Sequence, residues 1–339
     1  MTIAVLLWPH ANIRYFESVK KLAAAEMSVL LHTVDPNAQV RTMDANGLIL
    51  YTFETEQLDE RMRRALSMLS CAYAIFEVKG DALLPLMPGG QLRFGGDLSG
   101  VLKYKGKTNE MFTGMLINLA VFSSDFAEKF DRPLSLLDPM CGRGTTLFEG
   151  LRRNYDVSGV EIDKNDVAEL RKFVKKYAEY NRLKHKVESA SMTVDGKNEG
   201  TRTRFTLAED AGRMKEDART LTVTLGDTLL ADRFYKGRCF HALACDLPYG
   251  VQHESRDGMS RVALDKMMGR ALQAWKKTLF PGAALALSFN ANTLPLEQAR
   301  EMVSKAGYEP ITGGPYDAFS HWVEQAITRD IVVARFPGN

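Results

Sequence analysis

Residues 239–250 read CFHALACDLPYG. An apolar run ends in Asp246, Leu247, Pro248 and Tyr249, and these residue types at a strand end suit one task, methylation of a planar amine. An exocyclic amine is a poor nucleophile because its lone pair is delocalised into the ring. Asp246 can accept one of its N–H bonds and the backbone carbonyl of Leu247 the other, so the lone pair turns toward an electrophile. Positive charge on nitrogen is then stabilised where it develops. Pro248 has no N–H and a fixed φ, which keeps that carbonyl aimed into the site. Tyr249 offers a face on which a base can stack. The product ammonium is acidic enough for an ordinary carboxylate to take its proton. A tetrapeptide this short also occurs at ordinary strand-to-loop turns, so its weight depends on what accompanies it.

What accompanies it is Leu136 to Gly150, LLDPMCGRGTTLFEG. An apolar run ends in Asp138 and Pro139, and Gly142 and Gly144 lead into an amphipathic stretch. Strand, tight turn and helix start bring backbone N–H groups and the positive end of a helix to an anionic ligand. The glycines let the backbone approach that ligand without a Cβ in the way. A dinucleotide fingerprint would carry a third glycine, where this chain has Thr145, Thr146 and Leu147. The acid expected about 20 positions further on is present as Glu161, placed to take both ribose hydroxyls of an adenosine. An adenosine with a single small anion, such as S-adenosylmethionine, fits this pattern better than a dinucleotide. Asp227, in GDT after a further predicted strand, is placed for the adenine amino group, and Ile162 or Asp163 can border the ring.

These motifs need elements to hold them. From Leu134 onward strands alternate with helices, which predicts a parallel α/β sheet. Strands are expected at Leu134–Leu137, Val157–Glu161, Leu221–Leu225, Ala242–Asp246, Ala283–Phe289 and Ile327–Phe336. Helices are expected at Thr145–Asn154, Asn165–Tyr180, Arg261–Leu279 and Leu296–Ala306. Upstream, Ile3–Trp8, Asn12–Met27, Val29–Thr33, Leu48–Phe53, Glu56–Leu69 and Ala72–Val78 read strand, helix, strand, strand, helix, strand. That is the order of a ferredoxin-like α+β unit. The expected organisation is a ferredoxin-like domain over 1–80, a linker over 81–107 with at most short strands, and the α/β domain over 108–339. Thr108 or Asn109 caps a helix running from Glu110 to about Ala127.

Residues 189–219 interrupt this rhythm as an insertion, with Asp195-Gly196 able to turn a hairpin between Ser191–Val194 and Thr201–Leu207. It reads equally as a substrate grip or a tolerated surface excursion. Arg171–Lys186 carries seven Lys/Arg and one Glu with Phe173, Tyr177 and Tyr180 interleaved. An RNA-binding patch and a solvated helix face with Phe173 and Tyr177 turned to the core are both open.

At 339 residues, with 45% hydrophobic and 25% charged positions, the chain has the make-up of a soluble globular protein of two domains. A net charge of +2 leaves any nucleic-acid affinity to local patches. Cys71, Cys141, Cys239 and Cys245 form no CxxC pair, the six histidines form no ligand pair, and no metal is implied. The apolar run Ile3–Trp8 is too short to span a membrane. A reduced, cytoplasmic protein is expected.

DPMCGRGTT, EID, GDT and DLPYG resemble the corresponding motifs of class I S-adenosylmethionine-dependent amino-methyltransferases acting on RNA, above all the tRNA guanine-N2-methyltransferases associated with THUMP domains. The resemblance extends from Lys103 to Phe336 and takes in KTNE before the first motif and HWVEQAITRDIVV near the end. It departs from the family in two ways: no THUMP-sized segment separates Lys79 from Lys103, and Leu247 stands where the family usually has Pro. The resemblance implies a Rossmann-like class I methyltransferase sheet with an antiparallel last strand. It implies cofactor contacts at Asp138, Cys141, Gly142, Gly144, Glu161, Ile162 and Asp227, beside which stand Thr145, Asp163 and Thr228. Thr108 and Asn109 would reach the methionine end, and Asp246, Leu247, Pro248 and Tyr249 would clamp the acceptor. The implied activity is methyl transfer to an exocyclic amine, guanine N2 in tRNA, with structured RNA as partner. The alternative is the same chemistry on a small-molecule, peptide or DNA amine.

Overall fold

The computed structural model describes residues 1–9, 13–86, 92–95, 97–102, 107–248, 261–324 and 327–338. The first sheet uses β1 (Thr2–Leu7), β2 (Arg41–Ala45), β3 (Leu48–Glu54), β4 (Ala72–Lys79) and β5 (Ala82–Pro85) in the order β2-β3-β1-β4-β5. Helices α1 (Ile13–Val34) and α2 (Glu60–Met68) make the crossovers. Pairing is antiparallel throughout, the arrangement expected of the βαββαβ order, with β5 added at its edge. Asn46 and Gly47, both at positive φ, turn the β2–β3 hairpin.

The strand expected at Val29–Thr33 is instead the last part of α1. Val29, Leu30 and Leu31 are all buried, so this apolar run fills a helix surface covered on several sides, and Asp35-Pro36 ends the helix. Tertiary burial overrides local strand propensity here.

The rest of the chain is α3 (Asp97–Gly100), α4 (Glu110–Phe122), β6 (Ser135–Asp138), α5 (Thr145–Arg152), β7 (Asp156–Glu161), α6 (Lys164–Tyr180), β8 (Lys184–Val194), β9 (Lys197–Ala208), α7 (Ala211–Glu216), β10 (Arg219–Leu225), α8 (Ala231–Phe234), β11 (Phe240–Asp246), α9 (Arg261–Lys276), β12 (Leu279–Asn290), α10 (Leu296–Lys305), β13 (Glu309–Pro310), β14 (His321–Glu324) and β15 (Ile327–Arg335). The second sheet runs β13-β15-β12-β11-β6-β7-β10-β9-β8, with β14 paired to β15. Strands β10, β7, β6, β11 and β12 are parallel, and β15 enters antiparallel to β12. This is the expected Rossmann-like sheet with its reversed last strand. Among the described residues no helix is long and apolar enough to cross a membrane.

The predicted hairpin over the insertion forms, turned at Asp195-Gly196 with both residues at positive φ. Its strands are longer than expected, and β9 pairs with β10 along its length, so the hairpin continues the main sheet. The polar, mixed-charge sequence hid this because β8 is an edge strand exposed on both faces and carries no apolar alternation.

Each face of the sheet has its own core. Ala242, Ala244 and Ala286 face one cluster with α4, α5 and α6, whereas Leu243, Cys245, Leu285 and Leu287 face the other with α9 and α10. Alternate residues point to opposite faces, which is why these strands are apolar at every position. Helix α4 is buried along Phe112–Phe122, packed between the sheet and α1, so it carries no polar face.

A buried polar network crosses this contact. Asn118 of α4 donates to Glu26 Oε1 of α1 and to the Met68 carbonyl, both at 2.6 Å, and accepts from Arg153 Nε at 3.1 Å. Burial pushes the Glu26 carboxyl up, opposed by donors from Ser70 and Asn118. Asn118→Ala would strip three hydrogen bonds from buried partners. It is expected to lower stability by about 2–4 kcal/mol, read as a drop in Tm.

Candidate active site

The parallel register brings the two chemical motifs to one edge of the sheet. Strands β6 and β11 are neighbours with Leu137 opposite Leu243, so Asp138 lies level with Ala244 and Asp246 stands two residues further out. On the other side Asp138 pairs with Gly159 and Glu161 with Leu225. The chain goes from β6 toward β7 and β10 on one side and later to β11 and β12 on the other. The crevice beyond β6 and β11 is therefore the switch point where doubly wound sheets take ligands.

At the glycine turn, the Cys141 N–H donates to the Val160 carbonyl at 3.0 Å and the Gly144 N–H to the Cys141 carbonyl at 2.8 Å. Gly142 has φ +51°, and a Cβ there would meet nothing within 4 Å among the described residues, so its backbone borders open space. Gly144, at φ +91°, caps α5 without a side chain, and a Cβ there would lie 2.7 Å from Leu170 Cδ1. Thr145 is the first residue of α5 and is buried. Glu161 Oε2 accepts the Gly142 N–H at 2.8 Å and Oε1 the Asp163 N–H at 2.8 Å. Each oxygen keeps a second lone pair for a further donor such as a ribose hydroxyl. Beside it Ile162 is 72% exposed, an apolar surface at the tip of β7.

Other expected contacts have structural work. Asp138 is buried beneath the turn, where it accepts the Met140 N–H at 3.1 Å and bonds Thr146 and Cys245. The Cys141 thiol packs toward Gly159, where a Cβ would fall 2.6 Å from its sulfur. Asp163 caps α6, Asp227 caps the turn after β10, and Thr228 accepts from Trp275 Nε1 at 2.9 Å. Asn109 caps α4 by accepting from Met111 N and Phe112 N.

At the other corner, Thr108 Oγ1 donates to Asp246 Oδ2 at 2.5 Å. The Leu247 N–H donates to the Ser288 carbonyl at 2.9 Å, which continues the β11–β12 ladder past Asp246 and sets where Leu247 and Pro248 emerge. Tyr249 and Gly250, with His253, lie outside the described residues. His241 is structural, its Nδ1 accepting the Ser135 N–H at 3.0 Å. Phe173 packs at 5.1 Å from Phe148 and Tyr177 is buried, as the core reading of that helix expects, while Tyr180 is exposed.

Two residues that sequence reasoning passed over belong to this site. Gly159 is needed where Cys141 approaches β7, and an isolated glycine inside a strand was its signal. Arg329 of β15 places Nη2 3.5 Å from Asp246 Oδ2, and an arginine inside a buried strand was its signal.

No protein-family model matches the chain, and no curated protein matches it. Solved structures are similar in fold. TrmN from Thermus thermophilus matches at 12% identity over 99% of each chain with a TM-score of 0.45. The rRNA methyltransferase aviRa from Streptomyces viridochromogenes matches at 15% identity over 72% of this chain and 91% of its own, with a TM-score of 0.42. A TehB-like SAM-dependent methyltransferase from Corynebacterium glutamicum matches at 12% identity over 60% and 81%, with a TM-score of 0.35. At these identities the likeness is one of fold, and the chemistry rests on this chain's own residues.

Burial raises the Asp138 carboxyl to about 7, against donors from Thr146, Met140 and Cys245 that pull it down. The folded protein thus keeps a proton that the unfolded chain releases at about pH 4. Stability should fall as pH rises between those values, because the folded state binds more protons there. Asp138→Asn is expected to flatten that slope in melting curves collected from pH 4 to 8. An unchanged slope would show that Asp138 does not titrate in this window.

Proposed function

We infer that the protein transfers a methyl group from S-adenosylmethionine to an exocyclic amine of a nucleobase in RNA, guanine N2 in tRNA. The observation that carries the methyl-transfer reading is the shared edge: the glycine turn of β6 and Asp246 of β11 open side by side from adjacent parallel strands. The residues fit the cofactor. Gly142 borders open space, Glu161 anchors the turn with lone pairs to spare, Ile162 offers an exposed apolar surface, and the first turn of α5 has no capping side chain. When bound there, S-adenosylmethionine supplies an electrophilic methyl group on a sulfonium.

The chain's own part is to bind and orient. Glu161 would hold the ribose, the backbone of Gly142 and Gly144 would approach the ligand, and Thr145 would stand at the helix start facing its anion. Asp246, its Oδ2 fixed by Thr108, would accept one N–H of the acceptor amine, with the Leu247 carbonyl taking the other. Asp246 would then take the proton released after transfer. A base in a duplex could not reach this crevice edge, so the target base would be flipped out or unpaired. The choice of guanine N2 in tRNA is supported by the resemblance of DPMCGRGTT, EID, GDT and DLPYG. The exposed Arg171, Lys172, Lys175 and Lys176 along α6 supply a surface for phosphates.

Asp246→Ala should keep cofactor affinity and lose turnover by about 100-fold or more. Glu161→Ala should weaken cofactor binding about 10-fold or more, seen by calorimetry. Gly142→Ala should weaken binding as well, while its positive φ costs only about 1–2 kcal/mol of stability. Incubation with labelled cofactor and bulk tRNA, DNA or metabolites, followed by digestion to nucleosides, names the methylated atom. Label in DNA or metabolites alone would overturn the RNA assignment.

A further inference from the structure

The segment HWVEQAITRDIVV brings a second group to the acceptor carboxylate. Strand β15 pairs with β12 so that Ile331 lies opposite Ser288, itself opposite Asp246, and Arg329 lies opposite Asn290 one step further out. The antiparallel turn-back of the last strand thus delivers a side chain to the edge where the parallel strands end. Arg329 Nη2 is 3.5 Å from Asp246 Oδ2, with the arginine side chain 9% and the aspartate 18% exposed. The guanidinium lies 4.4 Å over the ring of Phe112, in the first turn of the helix that follows Thr108. One short stretch therefore gives Asp246 its hydroxyl donor and gives Arg329 the ring it rests on.

Among the described residues, His321 and Leu247 also border this pair. His321 stands opposite Arg329 in the β14–β15 ladder, its ring 5.3 Å from Phe112. Its Nδ1–H donates to the Phe319 carbonyl at 2.9 Å, and its buried Nε2 has no hydrogen-bond partner among the described residues. Burial holds this imidazole neutral, its pKa down to about 4. Leu247 is buried on the other side. A carboxylate covered by a planar base against such walls loses its water, and an ionised group without a counter-charge in that state is strongly disfavoured.

We propose that Arg329 is a positioning residue for methyl transfer, acting through Asp246: it is the counter-ion that lets the carboxylate stay charged and oriented when the acceptor base closes over it. The proposal rests on the assignment of Asp246 as acceptor clamp. Its planar fork keeps charge and direction together, and stacking on Phe112 limits its freedom, so lysine should replace it only in part.

The test is single-turnover methylation of bulk tRNA with labelled cofactor, for wild type, Arg329→Gln, Arg329→Lys, Asp246→Asn and the double variant Asp246→Asn/Arg329→Gln. Arg329→Gln should slow transfer about 10- to 100-fold, with cofactor affinity by calorimetry within about twofold of wild type. Arg329→Lys should recover part of that loss. In the Asp246→Asn background, where no charge needs balancing, Arg329→Gln should change the rate by less than about threefold. An equal loss in both backgrounds, or no loss in either, would overturn the proposal. Should Arg329→Gln fail to fold, Arg329→Met in the two backgrounds removes the same charge and gives the same comparison. Full turnover by Asp246→Asn would instead sink the clamp assignment itself.

Discussion

Glu161 knits together the loops on which the site depends. Its side chain accepts N–H groups from Gly142, after β6, and from Asp163, after β7, and its backbone carbonyl accepts the Gly226 N–H, after β10, at 2.9 Å. Three loops from three adjacent parallel strands therefore converge on one residue at the end of β7. A carboxylate suits that position because it takes several donors at once, and charge-assisted bonds to backbone N–H groups are stronger than neutral ones. The glycine turn is held open over the sheet by this acid before any ligand arrives. That is the pre-organisation a small anionic or hydroxylated ligand requires.

The corner at Asp246 depends on packing further away. Helix α4 can lie close to the sheet because Ala242, Ala244 and Ala286 present small side chains to that face. Gly114 leaves room on the helix for Arg153, whose guanidinium would be 2.3 Å from a Cβ there. Arg153 in turn pairs with Glu149 of α5 and bonds Asn118, which reaches Glu26 of α1. The position of α4, and hence of Thr108 at its start, is set from one side by the sheet and from the other by α1. The amino-terminal βαββαβ unit thereby contributes to the geometry at Asp246 through α4.

Much of this was legible in the sequence wherever a residue type has one strong local use. The glycines, the strand-terminal acids and the Asp195-Gly196 turn all occur where their chemistry demands. Strands β11 and β12 were readable because their centres are buried on both faces and run apolar from Ala242 to Cys245 and from Ala283 to Leu287. What was not legible depended on burial that local patterns do not encode. Val29–Thr33 reads as a strand by composition, yet it is helix, with Val29, Leu30 and Leu31 all buried. The Asn46-Gly47 turn was in plain view, and recognising it would have moved β2 to its true place. The length of β8 was hidden because an edge strand wet on both faces loses its alternation. Asp138 and Asn109 entered as ligand contacts through the resemblance and Asp227 through its place after a strand, and each also bonds its own backbone turn. Short polar side chains after strands serve caps and turns as readily as ligands, and one side chain can do both.

The charge pattern of the crevice follows from the same division of labour. Beneath the turn the groups are proton-holding: burial raises Asp138 and pushes the thiols of Cys141 and Cys245 well above their ordinary values. Such thiols are packing groups and poor nucleophiles, so a covalent cysteine mechanism finds no support in this floor. At the rim Glu161 and Asp246 each receive donors, from backbone amides in one case and from Thr108 and Arg329 in the other. An apolar, proton-holding floor under a rim of two well-supported acids suits a ligand that brings hydroxyls to one side and a developing positive charge to the other. On the turn itself Arg143 is engaged with Asp166 at 2.8 Å, which leaves backbone N–H groups to face the ligand's anion.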